Sequence, residues 1–328
     1  MLRIGLLGAA AIAPAALVRP ARQVPGVLVA AVAARERARA EQFAARHGIG
    51  VVHDSYADLL ADPGIDAVYI PLPGGLHAEW TLRALNHGKH VLCEKPMAAN
   101  QAQARQIAEA AGDLVVMEAF HYRHHPLAER MRAVVGDELG TVRRVRVSLC
   151  VPLPRFSDIR YAYELAGGAT MDVGCYAVHV ARLLGGGESK VVSARARTLR
   201  SRPLVDRSMR AELAFPGGAS GEVRMSLWGW PPLSIAARVS GERGELSVVN
   251  FLAPHVYHRL KVGGPDGTRV ERVAGEPTYT SQLRAFHAAV TTGAQVLTDA
   301  GDAVVTMGLL DDIYRAAGLP PRGMNQGD

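Results

Sequence analysis

Cysteine is scarce in this 328-residue chain. The three present, Cys93, Cys150 and Cys175, stand far apart and form no C-x-x-C pair. That spacing suits neither a disulfide framework nor a zinc site, and it points to a reducing, cytoplasmic setting. Charge is not concentrated anywhere either. The formal net charge is +6, but arginine is spread over the whole length, without a Lys/Arg run or interleaved aromatics. This argues against a nucleic-acid surface. No apolar run reaches the roughly 20 residues of a membrane span. The stretch "IGLLGAAAIAPAALV", Ile4 to Val18, imitates a signal-peptide core, yet only Arg3 precedes it as a charge and Pro14 interrupts it. A strand and the start of a helix account for it better. Internal repeats and low-complexity tracts are lacking as well. What remains is an ordinary soluble balance, 48% hydrophobic and 21% charged, in a chain long enough for two domains.

The first 120 residues alternate apolar runs of strand length with helical stretches. Strands are expected at Leu2–Gly8, Val27–Ala34, Val51–His53, Ala67–Ile70, His90–Glu94 and Leu114–Met117, and helices at Glu36–His47, Leu76–His87 and Gln101–Ala111. Continuous apolar strands separated by helices mark a parallel, doubly wound sheet covered on both faces. From Val142 onward the pattern changes to period-two alternation, as in "VRRVRVSLCV", "ASGEVRMSLW" and "LSIAARVSG", with "PGG", "GERG" and "PDG" as turns. One helix, about Thr170 to Leu184, interrupts this half, and two more, near Thr280–Val290 and Asp302–Ala316, close the chain. The expected organisation is a dinucleotide-binding domain over residues 1–120. A large, mostly antiparallel α+β domain for substrate binding and oligomerisation follows over 121–328.

After the first strand comes "GAAAIA". The dinucleotide fingerprint is G-x-G-x-x-G/A, opening a helix whose N–H groups face a pyrophosphate. Gly8 supplies the tight turn, Ala10 takes the middle place, Ala11 and Ile12 follow, and Ala13 stands last. Ala10 departs from the pattern by one methyl group. The second strand ends "AVAAR", with Ala34 where NAD enzymes place a carboxylate and Arg35 next to it. A guanidinium there can pair with a 2′-phosphate in bidentate fashion, so NADP(H) is the preferred cofactor and NAD(H) the alternative.

Two further segments stand out. "HVLCEKPMAAN" ends an apolar strand in Glu94 and Lys95, with Pro96 preventing either from sitting inside a helix. "GGATMDVGCYAVHVARLLGGG" sets Asp172, Tyr176 and His179 four and three residues apart, on one face of an otherwise apolar helix. That face is either a reactive site or the polar edge of an interface helix.

Together these motifs resemble the glucose–fructose oxidoreductase, inositol dehydrogenase and rhizopine-catabolism (Gfo/Idh/MocA) family of NAD(P)-dependent enzymes. The resemblance rests on "GAAAIA", "PLPGGLH", "CEKPM", "EAFHYRHHP", "GGATMDVGCYAVH" and the closing "LLDDIYRAAGLPPR". It implies a Rossmann domain followed by a large open sheet. Lys95 would lie beside the nicotinamide, and Tyr176 would be the proton-transfer residue, since the chain carries D-x-x-x-Y where inositol-type members carry D-x-x-x-H. Asp172 would hold the substrate hydroxyl or orient the lysine. Pro71, Leu72 and His77 of the second motif, Glu94, and Arg123 of "HYRHHP" match positions at the nicotinamide end, and Gly74 replaces the usual asparagine. Arg160, Tyr163 and His179 are candidates to face the substrate. His121, His124 and His125 lack an accompanying carboxylate cluster, and no metal is expected.

The chemistry of such a pair is simple. A phenol titrates near pH 10. An ammonium about 4 Å away, at an effective dielectric of about 20, favours phenolate by roughly 4 kcal/mol, or about three pKa units before desolvation opposes it. The resemblance therefore implies hydride transfer to or from a secondary alcohol or ketone of a sugar or cyclic diol, with the cofactor either released or retained between turnovers. A non-catalytic dinucleotide-binding sensor or co-regulator of the same fold is the alternative, although such a protein need not keep Lys95, Asp172 and Tyr176. An alternating sheet covered by few helices would leave an apolar face to water, which fits the homodimer or homotetramer that the resemblance implies.

Overall fold

A computed structural model describes residues 1–323. The chain divides into two compact units. The first comprises Met1–Ala98, Ala102–His124 and Thr278–Val304, and the second Ala99–Gln101, His125–Pro277 and Val305–Asp328. Thr278–Val304 thus joins the first unit although it follows most of the second in sequence.

The first unit contains β1 (Leu2–Leu7), β2 (Val27–Ala33), β3 (Val51–His53), β4 (Ala67–Ile70), β5 (His90–Cys93) and β6 (Val116–Glu118). All pair in parallel, in the order β3-β2-β1-β4-β5-β6. This is the doubly wound Rossmann order, whose ligands bind beyond the carboxyl ends of the strands. β1, β4 and β5 are buried nearly throughout, because helices cover both faces. The sequence reading began the last strand two residues early and ended it one residue short; the pairing runs through Glu118, whose side chain is fully buried. The helix Thr278–Thr292 adds Leu283 and Phe286 to the core that holds Leu2, Ile4, Leu17 and Tyr69.

The second unit is built on β7 (Val142–Cys150), β8 (Lys190–Leu199), β9 (Arg202–Ala214), β10 (Ser220–Ser226), β11 (Ser234–Gly241), β12 (Glu245–Val249), β13 (Arg259–Gly264) and β14 (Gly267–Glu271). They form one sheet in the order β14-β13-β12-β11-β7-β10-β9-β8. Every pairing is antiparallel except that of β7 with β10. Alternation buries Val145, Val147, Met209, Ala211, Val223 and Val239 on one face, against which the helix Cys175–Gly185 packs. The other face is not apolar. There Glu222 pairs with Arg210 and Arg224, and Arg238 with Glu245, so the idea that an uncovered apolar face drives self-association does not hold.

All three cysteines are buried, and none is joined in a disulfide. Among the described residues, no helix is long and apolar enough to cross a membrane.

Candidate active site

In the first unit the predicted cofactor residues gather at the carboxyl edge of the sheet. β1 runs into Gly8, at φ +116°. That backbone conformation requires glycine, and a Cβ there would also crowd a Leu72 methyl at 3.1 Å. The Gly8 N–H donates to Ala33 O at 2.8 Å, the Ala10 N–H to Gly8 O at 2.8 Å and the Ala13 N–H to Ala10 O at 3.1 Å. These bonds curl the loop and leave Ala11 and Ile12 exposed at its tip. Pro14 then opens the helical turn Pro14–Val18. The loop therefore offers exposed main chain at its tip to an anion, as a pyrophosphate needs.

Beyond β2, Ala34 is buried and Arg35 exposed. The Arg35 main chain hydrogen-bonds the Tyr56 hydroxyl, whose pKa burial pushes up while the Arg35 and Arg39 guanidiniums pull it back. Tyr56 lies edge-on to Trp80, with centroids 4.9 Å apart, and Arg83 covers the Trp80 ring at 4.7 Å. Arg37 is already engaged by Glu41 and Asp54. Arg35 enters no ion pair among the described residues. Two exposed guanidiniums beside an open loop suit a 2′-phosphate, and the side chains present fit NADP.

The Glu94–Lys95–Pro96 segment leaves the end of β5 with a cis Lys95–Pro96 bond. It is held at three points. The Tyr69 hydroxyl, from β4, donates to Glu94 Oε1 at 2.8 Å. The Met97 N–H donates to the buried Glu118 Oε1 at 2.8 Å. His77 lies between Pro96 O and Leu72 O, 2.7 Å and 2.6 Å from its two ring nitrogens. Lys95 itself is half-buried. Pro71 is buried and Leu72 half-buried after β4, and Arg123 is half-buried just past β6.

Tyr279 was not legible in the sequence. Burial and then the Glu94 carboxylate push its hydroxyl pKa up, while Lys95 pulls it down, which places the phenol within electrostatic reach of both. Its ring stacks on His121 at 4.2 Å, and His121 Nδ1 lies 2.9 Å from Thr278 Oγ1. That histidine is thereby tied to the helix bearing Tyr279. Among the described residues no group of His, Cys, Asp or Glu is arranged to hold a metal ion. Glu118 did leave a trace in the sequence, a carboxylate closing the apolar run "VVME" much as Glu94 closes β5.

In the second unit the expected reactive helix begins not as an α-helix but as a wider π turn, Thr170–Gly174, and continues as α-helix from Cys175 to Gly185. Such turns recur at functional sites because they displace side chains from regular spacing. Gly186, at φ +77°, ends it. Asp172, at 24% side-chain exposure, faces Arg160, whose Nε is 3.5 Å from Asp172 Oδ2. Tyr176 and His179, further along the same helix, are buried. The Arg160 guanidinium is also 3.2 Å from Asp158, and its loop is packed over Gly167, where a Cβ would approach Arg160 O to 2.7 Å. Tyr163 is turned elsewhere: its hydroxyl donates to Pro321 O at 3.4 Å. The structure thus brings Arg160 to Asp172 and sets Tyr163 on the C-terminal segment.

Comparison with known proteins agrees with this architecture. Residues 2–120 match the model of an oxidoreductase family with an NAD-binding Rossmann fold, and residues 128–247 match the GFO/IDH/MocA C-terminal domain. The chain is 38% identical to D-xylose 1-dehydrogenase (NADP(+)) 2 of Haloferax volcanii, covering 95% of this chain and 96% of the relative. It is 34% identical to dTDP-3,4-didehydro-2,6-dideoxy-alpha-D-glucose 3-reductase of Streptomyces violaceoruber, covering 97% and 96%. Among solved structures it resembles KijD10, a 3-ketoreductase from Actinomadura kijaniata in complex with NADP and TDP-benzene. The TM-score is 0.89 at 29% identity, over 96% of this chain and 97% of that one. With both halves matched in order and the relatives aligned nearly end to end, the chain belongs to the Gfo/Idh/MocA family of oxidoreductases.

Proposed function

We propose that this protein is an NADP-dependent oxidoreductase acting on a secondary alcohol or ketone of a sugar or cyclic diol, with Tyr176 as acid/base and Lys95 assisting it. The observation that carries the reading is the restraint of the Lys95 segment. Two contacts hold the main chain at Pro96 and Met97 and a third holds the Glu94 carboxylate, around an ammonium at the carboxyl end of a Rossmann strand, where a structural lysine would need none of them. Relatives named as a xylose dehydrogenase and a deoxysugar 3-reductase support a sugar-type substrate.

The nicotinamide, when bound, supplies the acceptor or donor of hydride. The main-chain N–H groups of Ala11 and Ile12, at the tip of the loop, would hold the pyrophosphate, and Arg35 would pair with the 2′-phosphate. Tyr176 exchanges the proton of the substrate hydroxyl. Lys95 favours the phenolate form of Tyr176 and stabilises the developing alkoxide. Asp172, oriented by Arg160, binds a substrate hydroxyl.

The test has two stages. NADPH fluorescence is followed across sugars, nucleotide sugars, inositols and arene diols, with NAD(H) in parallel, to find a substrate. Lys95→Ala and Tyr176→Phe are then each expected to lower turnover at least about a hundredfold while NADP(H) still binds. Near-normal turnover in both variants rejects the assignment.

A further inference from the structure

Two parts of the quoted motifs have no place in the chemistry above: the Gly-Gly-Ala-Thr that precedes Met171 and Asp172, and the arginine that closes "GLPPR". They meet inside the second unit. Arg322 and Asp206, a residue of β9, are both fully buried, with Arg322 Nη2 2.9 Å from Asp206 Oδ1. The main-chain N–H and the hydroxyl of Thr170 both donate to Asp206 Oδ2 at 2.7 Å. The Tyr314 hydroxyl donates to Oδ1 at 3.0 Å. Arg322 Nε donates to Gly167 O at 2.8 Å and Nη1 to Pro320 O at 3.0 Å. The rings of Tyr314 and Tyr163 flank the guanidinium at 4.0 and 5.1 Å. Gly168, at φ +138°, has no room for a side chain, because a Cβ would overlap Asp206 Oδ1.

A buried ion pair is weak evidence for stability, since apolar residues of the same volume often serve as well or better. What this pair does supply is direction. Thr170 is the first residue of the π turn that carries Asp172 and leads to Tyr176, and the carboxylate fixes both its N–H and its hydroxyl. The Arg322 carbonyl, in turn, accepts from Asn100 Nδ2 at 2.8 Å, within the segment where the chain that has left Lys95 first joins the second unit. We propose that Arg322 is a positioning residue for the reaction: through Asp206 and Gly167, its guanidinium sets the first turn of the helix that presents Asp172 and Tyr176. The inference rests on the acid/base role given to Tyr176 above.

Arg322→Met, Arg322→Lys and Asp206→Asn are compared with Leu246→Ala, which opens a cavity at a fully buried site in β12. Hydrogen exchange of the peptides covering Gly167–Val178, kcat and the NADPH Kd are measured where circular dichroism shows each variant folded. Arg322→Met is expected to speed exchange in that segment at least tenfold, leave β12 unchanged, and lower kcat at least tenfold with the Kd within twofold. Arg322→Lys should fall between Arg322→Met and the wild type, and Leu246→Ala should move neither readout. Unchanged exchange, or faster exchange with unchanged kcat, overturns the positioning role. Should Arg322→Met fail to fold, Tyr314→Phe removes one donor to Asp206 and keeps the ring. It is expected to speed exchange about threefold, and unchanged exchange there overturns the role equally. Normal turnover in Tyr176→Phe instead rejects the reading on which the inference rests, a different outcome from any of these.

Discussion

The imidazole of His77 is bound to the carbonyl oxygen of Pro96, with Nδ1 at 2.7 Å, and its other nitrogen is 2.6 Å from the carbonyl of Leu72. The ring therefore joins the loop after β4 to the residue that follows Lys95. Burial pushes the His77 pKa down, the two carbonyls oppose this, and Lys95 adds to it. A neutral ring has a single N–H and satisfies one carbonyl at a time. His77→Phe roughly keeps the volume and removes the N–H, at a cost of about 1–3 kcal/mol for a carbonyl left buried and unpaired. The expected result is a lower Tm together with a kcat reduced about tenfold. A folded variant with wild-type kcat would show that the ring does not set Lys95.

Arg35 is exposed, whereas its neighbour Arg37 is tied to Glu41 and Asp54. Arg35→Ser should consequently weaken NADPH binding by about ten- to a hundredfold, since a charge-assisted bidentate pair is worth roughly 1.5–3 kcal/mol. NADH binding should change less than threefold. Titration by nucleotide fluorescence checks both, and an equal loss for the two cofactors would contradict the assignment of Arg35 to the 2′-phosphate.

Asp311 gives a pH dependence of known sign. Burial holds its carboxyl up at about 6; the Gln101 N–H donates to Oδ2 at 3.0 Å, and Oδ1 has no partner. The folded state thus prefers the protonated acid, so this stabilisation is complete below the ordinary carboxylate value of 3.8 and is lost as pH rises through about 6. Asp311→Asn mimics the neutral form. It should be more stable than the wild type at pH 8, by up to about 3 kcal/mol for a two-unit shift. The advantage should shrink between pH 6 and pH 4. Urea unfolding across pH 4–8 measures it, and a pH-independent difference would refute the argument.

The parallel sheet was legible because each of its strands is a short apolar run bounded by turn residues, and β1 to β5 lie within a residue of the runs that mark them. β14 was not, since almost every residue of Gly267–Glu271 is exposed and two-sided exposure leaves no alternation to read. The π turn at Thr170 was hidden for a different reason: nothing in the spacing of Thr170–Gly174 distinguishes a π turn from an α turn, and the Asp206 carboxylate that holds Thr170 comes from a distant strand. Long-range partners were invisible in principle. Nothing local to Arg322 announces a carboxylate on β9, and nothing local to Tyr279 announces Lys95. The motif residues, by contrast, were readable because glycine, proline and charge at strand ends carry backbone requirements that a short window contains.

The helix from Thr278 to Thr292 closes the core of the first unit with Leu283 and Phe286, although nearly the whole second unit is encoded before it. During synthesis the nucleotide-binding half leaves the ribosome first and must wait, its apolar flank uncovered, until more than half the polypeptide has been added. A fragment cut just past His124 would carry the fingerprint loop and Lys95 yet lack the wall that seals them.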